Sequence, residues 1–111
     1  MEQLHMLDLS PVQRPIFAEA QSIDDRFVAF DRQNPHIYRN LVALTWRMYR
    51  AGRRKVGIAA LFERLRWEYD ETTSGDHYRL NNDYRSRYVR LIQQREPMLA
   101  GMFNTRELRS A

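Results

Sequence analysis

The chain has 111 residues, 43% hydrophobic and 29% charged, with a formal net charge of +4. That balance suits one domain with one modest core, and four Gly and four Pro exclude a chain that is disordered throughout. Cysteine is absent, which excludes disulfides and cysteine-based zinc sites and makes a reducing cytoplasm the expected compartment. No apolar run approaches the roughly 18–20 residues that span a bilayer, so no membrane partner is expected.

The opening "MEQLHMLDLS" has no basic segment leading into an apolar one, so no secretory signal is expected. Residues 1–10 read as a flexible arm. "SPVQRPIFAEAQ" places Ser10 before Pro11 like a helix start, but Pro15 interrupts, which predicts a short or irregular helix. "SIDDRFVAFDRQ" is clearer: Ser22 is an N-cap with Asp25 three residues on, and Ile23, Phe27 and Phe30 form one stripe. In "NPHIYRNLVALTWRMYRAG", Asn34 is the expected cap, Pro35 the first helical residue and Gly52 the stop. Ile37, Leu41, Leu44 and Met48 form its stripe. Tyr38, Val42, Thr45 and Tyr49 widen that stripe, as in a central helix with several neighbours.

Arg53, Arg54 and Lys55 follow, where the helix dipole favours cations. Gly57 opens the next helix, whose Ile58, Leu61, Phe62, Leu65 and Tyr69 share a face; Trp67 lies opposite. "ETTSGDHYRL" reads as a loop, with at most a minimal hairpin at 76–80. Asn81 is placed to cap a helix over 82–95, Pro97 breaks it, and "PMLAGMF" carries Leu99, Met102 and Phe103 inward. The prediction is an all-α chain, a single compact domain of four to five helices over 11–105, with a polar tail at 106–111.

Charge is uneven along this plan. Residues 1–45 balance at −2, residues 46–95 at +6 and the remainder at zero. Seventeen of the eighteen basic residues are Arg. Arginine is the better bidentate partner of phosphate and guanine, but a genome rich in G and C also turns lysine codons into arginine codons. On a helix over 82–95, Tyr84, Tyr88, Leu91 and Ile92 cluster on one side. Asp83, Ser86, Arg87, Arg90, Gln93 and Gln94 fall opposite, with Arg85 and Arg95 near the apolar edge.

That polar face suits DNA: Arg87, Arg90 and Gln94 toward a groove, Asn82 at the helix tip, and Arg53, Arg54, Lys55, Arg79 and Arg85 toward phosphates. A solvated face of a structural helix has the same composition. The helices before and after the loop form a helix-turn-helix-like unit, although residues 72–80 make a nine-residue connection where about 3–4 is usual. Trp67 either packs under that loop or against the N-terminal arm, or it anchors a protein partner or a self-dimer. His5, His36 and His77 have no further ligands at zinc spacing, and neither a nucleophile elbow nor a Gly-rich phosphate loop is present. No catalytic residue, metal or cofactor is expected, and the chain does not read as an enzyme.

The segments "FVAFDRQNPHIYRNLVAL", "GIAALFERLRWEY" and "LNNDYRSRYVRLIQQREPMLAGMF" together resemble a group of small proteins found in phages and prophages of bacteria. The resemblance spans roughly residues 27–109 and carries no functional residues. It implies a phage-type setting, in which DNA-binding regulators and proteins that bind or inhibit host proteins are both common. Expected partners are therefore DNA or a host or phage protein, with a homodimer if the target is palindromic.

Overall fold

A computed structural model describes residues 7–14, 22–72 and 80–103. Helix α1, Ile23–Gln33, starts where the Ser22 hydroxyl accepts the Asp25 N–H at 3.1 Å, an N-cap legible in the sequence. Phe27 and Phe30 turn inward from it. Helix α2, Pro35–Arg50, is the central element. Ile37, Leu41 and Leu44 are buried on its core side, and Thr45 is fully buried with its hydroxyl donated to the Leu41 carbonyl.

The stop of α2 follows its sequence. Gly52 adopts φ +88°, which lets the N–H of Gly52 reach Tyr49 O and that of Arg53 reach Met48 O, both at 3.0 Å. This pair of bonds is a Schellman closure, and only glycine adopts that φ without strain. The chain then runs to α3, Ile58–Thr72, whose first bond is Leu61 N–H to Gly57 O.

After residue 80 the Asn81 side chain caps as expected, accepting the Asp83 N–H at 2.9 Å. The helix expected over 82–95 is divided: a 3₁₀ turn, Asn82–Tyr84, leads into α4, Arg85–Arg95. Pro97 ends α4, and a second 3₁₀ segment, Pro97–Met102, inserts Leu99 and Met102 with Phe103 behind them. The described elements are all helical. They form one domain around one core, in which α2 meets α1, α3 and the Pro97–Met102 segment, and α3 meets α4. Aromatic rings tie the elements together: Phe27 of α1 meets Tyr88 of α4 edge-on at 4.8 Å, and Phe62 of α3 meets the same ring at 5.9 Å.

Two expectations change. Asn34 stands at the start of α2 but makes no cap bond. It is fully buried, and its amide takes the N–H of Gln13 at 2.6 Å and donates to the Gln13 carbonyl at 2.9 Å and the Phe30 carbonyl at 3.1 Å. The expected loose arm over 1–10 also gives way at its end. Asn40 accepts from Asp8 N–H at 2.9 Å and donates to Asp8 O at 2.8 Å, His36 Nε2 donates to Ser10 O at 3.0 Å, and Val12 is buried. Residues 8–13 are thus a non-helical strap held against the start of α2 by side-chain bonds to its backbone. The short or irregular helix expected over 10–21 does not start at Ser10 and Pro11, because residues 10–14 are non-helical; its remainder, residues 1–6, positions 76–79 of the hairpin and the 106–111 tail lie outside the described residues.

The polar groups under the strap are neutral or well paired. Burial lowers the His36 pKa, against an opposing pull from Asp8 and the Ser10 bond. The Tyr69 phenol takes a third Asn40 bond at 3.0 Å, and burial pushes its pKa up to about 12.

Candidate nucleic-acid interface

The outer face of α4, where the sequence places the recognition surface, is occupied largely by the protein itself. Arg87 Nε bonds the Asp24 carboxylate of α1 at 2.7 Å, and its Nη1 reaches Asp83 O at 3.4 Å. The Arg87 side chain is only 21% exposed. The helical wheel separated Arg87 from the core correctly, but α1 lies alongside that part of the face. Asn82, expected free at the tip, accepts a hydrogen bond from Arg66 of α3, which also pairs with Glu63 at 2.6 Å. Arg85 Nε folds back to the Asn82 carbonyl at 3.2 Å. Arg90 is half-buried, Gln94 is exposed, and Arg79 lies outside the described residues.

Arg85 and Asn82 also line a cleft of about 470 Å³, floored by Val56, Val89 and Phe103, between the start of α3 and the start of α4. The cleft mixes Asp83 with Arg85 and so has no single-sign field. Across α4, then, the expected contact residues face three different neighbours: Asn82 faces α3, Arg87 faces α1, and Gln94 faces solvent.

The turn after α2 is different. Arg53 and Arg54 are exposed, and among the described residues neither side chain has a hydrogen bond or ion pair. Lys55 donates Nζ to Gly101 O at 2.9 Å, and Val56 N–H bonds Met102 O at 2.9 Å, so the turn is fastened to the Pro97–Met102 segment. The Schellman closure holds Arg53 directly against the last turn of α2.

That last turn contributes a cluster missed in the sequence. The Arg50 guanidinium lies 5.5 Å from the Trp46 ring centroid, and Tyr49 meets Trp46 edge-on at 5.2 Å. Tyr49, expected to widen the core stripe, is 39% exposed; Trp46 packs partly against the core. The signal was present as the i, i+3, i+4 spacing of Trp46, Tyr49 and Arg50 together with an absence. No Asp or Glu occurs from residue 32 to residue 62, a stretch with seven cations, five of them between Arg47 and Lys55.

Trp67, expected either beneath the loop or as an anchor, is 67% exposed on α3. Among the described residues no helix is long and apolar enough to cross a membrane, and no three His, Cys, Asp or Glu side chains gather as metal ligands would. No family model, no curated protein and no solved structure matches the chain.

Proposed function

We propose that this is a small nucleic-acid-binding protein, not an enzyme, working as a regulator or accessory factor of the phage type that its sequence resembles. The turn after α2, not the outer face of α4, is its contact surface. The observation that carries the reading is the acid-free stretch that contains an exposed cationic turn, Arg50, Arg53, Arg54 and Lys55. A bias toward G and C replaces Lys with Arg but does not remove Asp and Glu, so codon usage explains the arginines and not the missing acids. Cations placed this way take phosphates and fix a backbone without reading its sequence.

The test is fluorescence anisotropy with labelled random-sequence oligonucleotides, duplex and single-stranded, at about 0.05 M and about 0.2 M salt. Binding that weakens steeply between the two supports the reading, because each neutralised phosphate releases condensed counterions. Absence of binding to either form at the lower salt overturns it.

A second reading rests on Trp67. An indole that exposed is a typical anchor for a protein partner, here a host or phage protein that the chain binds or inhibits. Under this reading Trp67→Ala abolishes capture of the partner while the unfolding midpoint stays unchanged.

A further inference from the structure

We infer that the nucleic acid this turn takes is single-stranded, with a base stacking at the Trp46–Tyr49–Arg50 cluster and the phosphates following Arg53 and Arg54. The inference rests on the nucleic-acid reading above and narrows it to one class of ligand.

Duplex readers place a helix or a ribbon in a groove and present side chains to base edges. The α2 turn has no such element. The helix stops at Arg50, the chain reverses through Gly52, and the cations stand on the turn itself. The helix best suited by composition to enter a groove, α4, has Arg87 bonded to Asp24 and Asn82 bonded to Arg66.

The cluster instead offers flat π surface. Arg50 lies over the indole at 5.5 Å, and Tyr49 stands nearly perpendicular to it at an interplanar angle of 86° with 39% of its surface open. A guanidinium plane and a tyrosine ring both stack on nucleobases. In a duplex the base faces are covered by their neighbours, and only an unpaired base presents one. Stacking platforms beside a cationic track are the usual means of holding a single strand without sequence preference.

The same geometry weakens one electrostatic objection. Helix C-termini present carbonyl oxygens, which repel phosphate. Here the carbonyls of Arg47, Met48 and Tyr49 are occupied by the N–H groups of Ala51, Arg53 and Gly52. The cations that follow add positive charge at the same end.

The chain has two tryptophans, so Trp67→Phe leaves Trp46 as the sole reporter indole. This variant is titrated at low salt with oligo-U, oligo-dT and a blunt duplex, each about 12 nucleotides long, within the usual footprint of a single-strand site. The expected result is quenching of Trp46 by both single strands, with affinities at least about tenfold above that for the duplex. Tyr49→Ala is expected to lower single-strand affinity by roughly tenfold, within the range reported by alanine substitution at stacking rings, and Tyr49→Phe to retain it. Binding by one of the two single strands alone still supports the inference. Duplex binding as tight as single-strand binding, or a Tyr49→Ala variant that binds single strands normally, overturns the inference and leaves the broader reading in place. Failure of all three ligands to bind overturns both.

Discussion

At its N-terminal end, α2 is flanked by Asn34, His36 and Asn40, all buried and all hydrogen-bonded to the backbone of residues 8–13. At its C-terminal end it carries Tyr49 and Arg50, then Arg53 and Arg54, all exposed. Both ends are polar, yet one holds the molecule together and the other faces outward. The difference is in what each end meets. A buried amide must satisfy its donors and acceptor inside the protein, and the backbone of the strap supplies both. The Arg53 and Arg54 guanidiniums stand exposed with no partner among the described residues, so they remain available to a ligand. Abundance of polar residues is thus a poor guide to a working surface, as α4 shows again with its internally bonded Arg87.

The contrast is broken most severely at the strap. Asn40→Ala removes three hydrogen bonds and leaves the buried Tyr69 phenol without one of its partners. The expected cost is about 2–3 kcal/mol of stability by urea denaturation, with oligonucleotide affinity unchanged. A loss below about 0.5 kcal/mol, the range of ordinary surface changes, would show that the strap is not anchored there.

The turn is expected to behave in the opposite way. Replacing Arg53 and Arg54 together by Glu should lower affinity by roughly tenfold or more and reduce the salt slope by about two, while the unfolding midpoint stays fixed. Unchanged affinity would move the interface elsewhere.

A smaller effect separates the ends by pH. The His36 pKa is depressed by burial, so the unfolded chain binds the proton more readily than the folded one. Its contribution is fully present above the ordinary imidazole value of 6.5 and is lost as pH falls through 6.5 toward the folded value. His36→Gln keeps an amide donor near Ser10 O without titrating. Denaturant midpoints measured across this window should therefore slope less in the variant than in the parent.

The smallest change is expected at α4. Arg87→Ala breaks a partly exposed pair with Asp24, for a cost of about 0.5–1 kcal/mol, and alters affinity less than about twofold. A large loss of affinity with intact stability would instead return the interface to α4.

Much of the fold was legible because it depends on local rules. Ser22, Asn81, Pro97 and the Gly52 stop act over a few residues, and the stripes Ile37–Leu41–Leu44 and Leu61–Phe62–Leu65 follow the helical period. Asn34 misled because a residue before a proline-started helix is a sound cap in isolation; its partner, Gln13, lies 21 residues away. Asn82 was legible as surplus to capping but not as the acceptor of Arg66, 16 residues back. Tyr49 lay within the angular width of the core stripe, yet the helix ends one residue later, beyond the reach of the packing that buries Leu44.

By itself, therefore, the sequence determined the all-helical class, the ends of most helices and the side of each helix that turns inward, because capping, glycine φ and hydrophobic period act between near neighbours. Only the tertiary structure decided which polar residues were consumed. Whether Arg87 finds Asp24, Asn34 finds Gln13, or Arg53 finds no side-chain partner among the described residues depends on which segments are brought together from distant parts of the chain. Electrostatic and hydrogen-bond partners are chosen by distance in space, and periodicity along a single helix carries no record of it.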